Sequence, residues 1–205
     1  IIEEFIDFQI EVTLLTVRQK SGKSIFCPLI GHLQERGDYR ESWQPVDMDE
    51  TLLSQAHKIA DKVTSNLGGV GIFGVELFIT GNEIIFSELS PRPHDTGMVT
   101  LISQNLSQFD LHARSILGLP IPEIETYGPS ASKVILSDRY SESVGYTGIS
   151  DALAIPNVDI RIFGKQTARP NRRMAVCLSR GSTVKEARQK VDDASRAVTL
   201  IYDTQ

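Results

Sequence analysis

Two apolar segments around a short polar turn place the strongest constraint on how this chain can fold. Gly71–Thr80 and residues 83–89 are rich in β-branched and aromatic side chains and flank Gly81-Asn82. This pattern predicts an antiparallel hairpin. Each of the two strands carries one carboxylate inside an otherwise apolar run, Glu76 in the first and Glu88 in the second. Carboxylates on neighbouring strands are candidates for holding a metal ion together.

The register of this hairpin decides whether the two carboxylates meet, because alternate residues of a strand share one face. If Gly81-Asn82 forms a simple two-residue turn, Glu76 faces Ser87 and Glu88 points to the other side. A three-residue loop or a β-bulge instead puts Glu76 opposite Glu88. Because opposed like charges are unfavourable without a cation, we predict such a loop or bulge, with Mg²⁺ bridging the pair. Judged from spacing alone, two solvated glutamates on an exposed face are the more common arrangement.

The rest of the chain mixes strands and helices, which predicts an α+β fold. Asp49 is the expected N-cap of the first helix, and Gly68-Gly69 is its expected end. The polar segment 32–43 is predicted to be a loop. Periodicity predicts strands at 8–17, 24–29, 131–136, 159–163 and 173–178, and helices at 49–67, 109–117 and 183–198.

Composition and charge argue against several classes of function. The 205 residues are 40% hydrophobic, which is enough for a core, and the net charge of -5 argues against a nucleic-acid partner. We expect no membrane-spanning segment and no signal peptide, because neither a long apolar run nor a basic leader occurs. Cys27 and Cys177 lie far apart, so we expect buried free thiols in a reducing cytosol.

Several motifs give the chain a resemblance to a known enzyme family. The longest is the run from Glu88 to Gln104, which contains Pro91-Arg92-Pro93-His94-Asp95-Thr96-Gly97; others are Gly37-Asp38-Tyr39-Arg40-Glu41-Ser42-Trp43-Gln44-Pro45, Phe73-Gly74-Val75-Glu76-Leu77-Phe78 and Arg161-Ile162-Phe163-Gly164-Lys165. With them the chain resembles the C-terminal part of ATP-grasp enzymes, and among these the formate-dependent phosphoribosylglycinamide formyltransferases. The resemblance implies an ATP-grasp C-terminal lobe, mostly antiparallel sheet flanked by helices, at 1–128. It also implies a small β-rich C-terminal subdomain at 129–205.

The same resemblance implies an ATP- and Mg²⁺-dependent enzyme of purine biosynthesis. Formate and ATP would give formyl phosphate, which the amine of glycinamide ribonucleotide would attack to give formylglycinamide ribonucleotide. Members of the family are usually homodimers, and we expect a cytoplasmic location. The chain does not begin with Met and lacks the family's N-terminal and middle lobes, so we expect a piece of a longer protein with no turnover alone.

Roles carry over from the family residue by residue. Glu76 and Glu88 match its magnesium ligands, and Glu11 matches its ribose-binding carboxylate. Clustered cations suit a phosphate-bearing substrate. The other implied binding residues are Glu3, Glu4, Phe5 and Ile6 for the linker at the adenine edge, and Asp95, Lys165, Arg172 and Arg173 for glycinamide ribonucleotide. A solvated loop is the plainer interpretation of Arg172-Arg173 on sequence alone, and no residue is assigned a catalytic role.

Two other functions stay open beside the formyltransferase. One is the sister ATP-grasp enzyme, phosphoribosylaminoimidazole carboxylase, which shares the fold and uses bicarbonate. The other is a non-catalytic ATP-binding or dimerisation module. The wording of residues 91–97 favours the formyltransferase. Among the histidines, His94 is predicted to have a structural or supporting role, and His32, His57 and His112 are predicted to be surface or capping residues.

Overall fold

A computed structural model describes residues 2, 4–35, 37–81 and 83–202 of the chain. The strands within these residues are β1 (Ile10–Arg18), β2 (Ser24–Phe26), β3 (Ile30–Glu35), β4 (Asp38–Gln44), β5 (Gly71–Thr80), β6 (Glu83–Ser90), β7 (Ser130–Leu136), β8 (Val144–Thr147), β9 (Val158–Ile162), β10 (Arg173–Arg180) and β11 (Thr199–Tyr202). The α-helices are α1 (Glu50–Leu67), α2 (Thr100–Ser103), α3 (Gln108–Leu117), α4 (Ile149–Leu153) and α5 (Val184–Ala197), and a 3-10 helix covers Asp95–Val99.

One antiparallel sheet organises the fold. Its strand order is β6-β5-β1-β3-β4-β7-β10-β9, and β2 pairs with β1 beside β3. β8 and β11 form a separate two-stranded ribbon. The mostly antiparallel sheet with flanking helices confirms the predicted α+β class. β4 pairs with β7, so the sheet continues across residue 128, and the division into 1–128 and 129–205 stays a prediction.

Alternation along β1 sorts its side chains into two layers. Val12 and Leu14 pack in the cluster that α1 covers, whereas Leu15 and Val17 pack in the cluster that α3 covers. Glu11 shares the α3 side of the strand by the same alternation, but it lines an open cleft instead of the apolar core. Farther along the sheet, α5 packs on β7 and β10.

The long helix α1 confirms its sequence prediction. Asp49 is the N-cap, and its carboxylate accepts a 2.7 Å hydrogen bond from the backbone N–H of Thr51. Gly68 ends the helix at φ +77°, a conformation that favours glycine. The apolar positions of the helix face β1, β5 and β6, which explains why its periodicity was readable from sequence.

The predicted loop at residues 32–43 is wrong, because this segment forms most of the β3–β4 hairpin. Its strands carry few apolar residues, since they face a buried layer of polar side chains. The hydroxyl of Tyr39 lies 2.6 Å from Oγ of Ser132 and 3.1 Å from Oγ of Ser42. The surface expectation for His32 is also wrong, because its side chain is fully buried in β3.

The sequence patterns did not predict several short elements, since each is too short for a periodic pattern. These elements are β8, β11, α4 and the helical segment 95–103. None of the helices in the described residues is long and apolar enough to cross a membrane. Cys27 and Cys177 are free and buried, as predicted, and burial raises the pKa of each thiol to about 12.

Candidate functional site

A β-bulge in the β5–β6 hairpin places Glu76 and Glu88 on the same side of the sheet. The pairing register shifts by one residue between Val75 and Leu77, so that Ser87 and Glu88 both stand opposite Glu76. This shift confirms the bulge that charge repulsion predicted. Carboxylate oxygens of the two glutamates and a ring nitrogen of His94 lie within 4.8 Å of one another, a separation that a single cation can bridge.

Glu76 is buried and held by two side chains. The Nε2–H of His94 donates to Oε1 of Glu76 at 2.8 Å, and Nε2 of Gln34 donates to Oε2 at 3.2 Å. Burial raises the pKa of Glu76, but the hydrogen bond and charge of His94 lower it by more, helped by His32. The net pKa lies below the ordinary value of glutamate, so the carboxylate is ionised at neutral pH.

The position of His94 is itself fixed from several directions. Gln108 accepts from the backbone N–H of His94 and donates to its carbonyl oxygen, both at 2.8 Å. Nδ1 of His94 lies 2.9 Å from Oγ1 of Thr96, whose hydroxyl donates to Oγ1 of Thr13. Gly74 lies beneath the ring, where a Cβ would stand 2.8 Å from Cγ of His94. These contacts hold the imidazole against Glu76 before any ligand arrives.

Glu11 extends the carboxylate cluster onto β1. Its Oε1 accepts from Nε2 of Gln34 at 3.4 Å, so one amide group bridges Glu11 and Glu76. Oε2 of Glu11 lies 3.8 Å from Nδ1 of His32. Burial and the adjacent charges of Glu76 and Glu88 raise the pKa of Glu11 to about 7. The cleft therefore concentrates negative charge that a cation would neutralise.

Two of the predicted substrate residues, Asp95 and Arg173, lie in the same cleft. Nη2 of Arg173 binds Oδ2 of Asp95 at 2.8 Å, and both residues line the cleft. Lys165 lies behind them, where its Nζ donates to the carbonyl of Arg173 at 2.7 Å. Partial burial, then the charges of Arg172 and Arg173, lower the pKa of Lys165. Arg172 turns away from the cleft and donates to the carbonyl and hydroxyl of Thr167.

The cleft encloses about 360 Å³ and gathers five of the predicted site residues, Glu11, Glu76, Glu88, Asp95 and Arg173. It also contains His94, for which only a structural or supporting role was predicted. The other side chains, to which sequence reasoning gave no site role, are Gln34, Asp38, Tyr39, Ser87, Arg92 and Thr96. Most of these lie within the motifs at 37–45 and 88–104, but the motifs alone do not say which side chains point inward. A cleft that combines carboxylates with guanidinium groups suits a metal–phosphate group.

The predicted adenine linker lies next to this cleft. Glu4, Phe5 and Ile6 line an apolar groove, and Glu3 lies outside the described residues. Phe8, just after the linker, stacks on Phe78 with ring centroids 4.6 Å apart. The groove is completed by Phe8, Phe78, Ile85, Phe86 and Ser87, and Ser87 also lines the cleft. An apolar slot that opens into a polar cleft suits a planar base attached to a charged group.

Comparison with protein-family models identifies the family to which this chain belongs. The model of the ATP-grasp domain matches residues 1–109, which is more than half of the chain. The chain belongs to the ATP-grasp family. A second model, described as PurT, C-terminal, matches residues 130–198 of this ATP-grasp chain. The resemblance read from the motifs is thereby confirmed.

Two curated relatives of this ATP-grasp chain share one name. The chain is 60% identical over 200 residues to proteins named formate-dependent phosphoribosylglycinamide formyltransferase from Trichormus variabilis and from Synechococcus elongatus. Each match covers 98% of this chain and 51% of the relative. The chain therefore spans about half the length of the curated relatives it matches.

Solved structures agree on the ATP-grasp fold. N5-carboxyaminoimidazole ribonucleotide synthetase from Thermotoga maritima superposes with a TM-score of 0.88 at 29% identity, over 98% of this chain and 55% of that one. Glycinamide-RNase-transformylase T from Mycobacterium tuberculosis superposes with a TM-score of 0.80 at 32% identity, over 96% and 53%. Both structural similarities extend over nearly all of this chain, so they support the fold of its N-terminal and its C-terminal part.

Proposed function

We propose that this chain is part of a transferase that formylates glycinamide ribonucleotide with formate and ATP in purine biosynthesis. The observation that carries the proposal is the Glu76–Glu88 pair, which shares one cleft with Asp95 and Arg173. Relatives named for this activity are 60% identical over nearly the whole chain. Because these relatives are about twice as long, the proposal concerns the complete gene product, and we expect this chain alone to have no turnover.

In this proposal Glu76 and Glu88 hold Mg²⁺, a hard cation that prefers carboxylate and phosphate oxygens. When bound, the metal would neutralise charge on the phosphates of ATP. A formate oxygen would take the terminal phosphoryl group and ADP would leave, which gives formyl phosphate. The chain's own contribution is to keep the two carboxylates in place. His94 and Gln34 each donate to Glu76, so its side chain is held by hydrogen bonds in the absence of metal.

The nucleoside of ATP would lie along the apolar groove. Phe5 and Ile6 line the groove beside the stacked rings of Phe8 and Phe78, where a purine base would be sheltered from water. Glu3 and Glu4 complete the proposed linker. Glu11 lies in the cleft that Ser87 connects to this groove, and there it would accept hydrogen bonds from the ribose hydroxyls.

Glycinamide ribonucleotide would bind in the part of the cleft that Asp95 and Arg173 line. Asp95 would accept a hydrogen bond from the substrate amine, and Arg173 with Lys165 would bind the phosphate. The amine attacks the carbonyl carbon of formyl phosphate, the C–O bond to phosphate breaks, and the amine proton is released. Arg172 donates to Thr167 in this structure and would have to rotate to join the phosphate site.

The sister carboxylase is the second candidate, because the Thermotoga synthetase superposes with a TM-score of 0.88. ADP release from the complete gene product separates the two functions. We expect release to require formate together with glycinamide ribonucleotide, and formate carbon to appear in the product. Dependence on bicarbonate and aminoimidazole ribonucleotide would instead identify the carboxylase. Binding of ATP without ADP release under either condition would contradict both enzymes and favour a non-catalytic ATP-binding module.

The proposal extends to location and assembly. The buried free thiols suit a reducing compartment, and we propose the cytoplasm. We also propose a homodimer, as the family resemblance implies. Light scattering of the complete gene product checks the assembly, and a monomer mass would contradict it.

A further inference from the structure

A second group of ligand atoms lies beside the proposed magnesium pair. Oxygens of Glu11 and Glu76 and a ring nitrogen of His32 lie within 4.8 Å of one another. Glu11 and His32 are direct cross-strand partners on β1 and β3, and Glu76 belongs to β5 on the other side of β1. Three paired strands thus contribute one ligand each, so the sheet backbone fixes the spacing of the group.

The ring nitrogens of His32 lack hydrogen-bond partners within the described residues. The side chain is fully buried, and neither Nδ1 nor Nε2 makes a hydrogen bond within the described part of the protein. The 3.8 Å separation between Nδ1 and Oε2 of Glu11 is too long for one. Leaving a buried polar group unpaired is unfavourable, so an imidazole kept in this state beside two carboxylates indicates a ligand from outside the chain.

We propose that Glu11, His32 and Glu76 form a binding site for a transition-metal dication such as Zn²⁺, which overlaps the Glu76–Glu88 pair at Glu76. One imidazole nitrogen with two carboxylate oxygens is a ligand set that Zn²⁺ takes in proteins. Mg²⁺ prefers oxygen ligands alone, so the imidazole selects for the softer ion. The fourth position would face the cleft, where water reaches the two carboxylates.

Gln34 explains how the site persists without metal. Its Nε2 lies 3.4 Å from Glu11 and 3.2 Å from Glu76, so the amide bridges the two carboxylates where a cation would otherwise reduce their repulsion. A metal ion bound to the same oxygens displaces this amide group. Rotation of the Gln34 side chain would then present its carbonyl oxygen in place of its NH₂ group.

The site shares Glu76 with the proposed magnesium pair and Glu11 with the proposed ribose contact. Zn²⁺ bound there would therefore compete with magnesium and ATP, which makes the metal an inhibitor. This consequence rests on the proposed function, whereas the metal site itself does not. A test that reads metal binding directly keeps the two apart.

Co²⁺ reports the site, because it replaces Zn²⁺ and its visible absorption depends on the ligand set. The complete gene product is titrated with Co²⁺ without nucleotide, beside His32→Asn, Glu11→Gln, Glu88→Gln and the control His57→Asn. We expect a visible band for the unaltered protein, Glu88→Gln and His57→Asn. His32→Asn and Glu11→Gln should bind at least about tenfold more weakly, as loss of a metal ligand predicts. Zn²⁺ should abolish the band by displacing Co²⁺.

Two results would overturn the site. One is the absence of any band sensitive to His32→Asn or Glu11→Gln; the other is a band lost in Glu88→Gln and kept in His32→Asn. Circular dichroism checks that each variant folds. If His32→Asn fails to fold, Glu11→Gln carries the test, because the Glu11 side chain is 14% exposed and its substitution removes a carboxylate without changing size. ADP release is not used as the readout, so an error in the proposed function leaves this result unchanged.

Discussion

His94 donates a 2.8 Å hydrogen bond from Nε2 to Oε1 of Glu76, and both side chains are buried. Glu76 precedes His94 by 18 positions and lies on a different element, yet the two form a single unit in the cleft. The imidazole is held in turn by Gln108 and Thr96. Burial by itself would favour a neutral carboxyl at Glu76, and His94 makes the largest of the contributions that lower its pKa.

Replacing His94 should weaken the metal site without removing a proposed metal ligand. We expect His94→Ala to lower the apparent Mg²⁺ affinity of the complete gene product by about 10- to 100-fold, as loss of a supporting hydrogen bond does. His94→Gln should recover part of the affinity, since its amide can still donate to Glu76. The measurement is ADP release as a function of Mg²⁺ concentration. Equal Mg²⁺ dependence in all three proteins would refute the supporting role.

Gly74 should be intolerant of even one methyl group. A Cβ at this position would stand 2.8–2.9 Å from Cγ, Cβ and Cδ2 of His94. We expect Gly74→Ala to lower the free energy of unfolding by about 1–3 kcal/mol, because the ring is fixed and cannot yield. Gly145→Ala is the matched control, since its Cβ would meet side chain atoms at an ordinary 3.5 Å. Denaturant unfolding measures both, and equal stability of the two variants would contradict this packing.

Sequence patterns predicted the features that depend on neighbours along the chain. The periodicity of α1 and the repulsion between Glu76 and Glu88 both depend on residues close together in the sequence. The helix and the bulge could therefore be predicted. The β3–β4 hairpin could not be predicted in this way, because its inward side chains contact polar groups from distant parts of the chain. Ser42 donates to the carbonyl of Thr96 at 2.7 Å, for example. A polar strand that faces a polar interior has no hydrophobic period to read.

In the candidate site, too, features set by local sequence could be predicted and features set by tertiary contacts could not. Motif resemblance selected Glu11, Asp95 and Arg173, and the structure brings all three into one cleft with the glutamate pair. The burial of His32 and the turn of Arg172 towards Thr167 depend on tertiary contacts and side-chain rotamers. Neither leaves a trace in the order of residues, so neither could be predicted.

The two thiols should be unreactive in the folded protein. Burial raises the pKa of Cys27 and Cys177 to about 12, and the thiolate is the reactive form. A raised folded-state pKa favours the protonated native form, so this contribution to stability is complete below about pH 9 and is lost as the pH rises towards 12. At pH 8 a thiol reagent should label both cysteines only after denaturation, as peptide mass spectrometry would show. Rapid labelling of the native protein would be inconsistent with their burial.

Asp192 should contribute to stability at neutral pH. It pairs with Lys133 of β7 and, at 2.6 Å, with Arg196 of α5, and the hydrogen bond from Lys133 holds its pKa below the ordinary value. We expect Asp192→Asn to cost about 1 kcal/mol at pH 7, as for a partly exposed ion pair. Because the folded-state pKa is lowered, the advantage exists above about pH 4 and disappears as the pH falls further.

The neighbouring, exposed Asp193 is the control for this prediction. Its carboxylate accepts from Gln189 on the same helix, without contact to the sheet. Thermal unfolding at pH 7 and at lower pH should show a gap between Asp192→Asn and Asp193→Asn that narrows as acid is added. A gap that is independent of pH would mean that packing, and not the ion pair, accounts for the loss.

We expect Glu76 and Glu88 to hold one divalent cation across the bulge. Mn²⁺ can stand in for Mg²⁺, and its electron paramagnetic resonance signal is lost when the ion binds, so titration of the complete gene product with ADP present measures the site. Glu88→Gln should weaken binding at least about tenfold. Glu83→Gln, an exposed glutamate on the same strand, should leave it unchanged. Equal Mn²⁺ affinity in the two variants would contradict the claim.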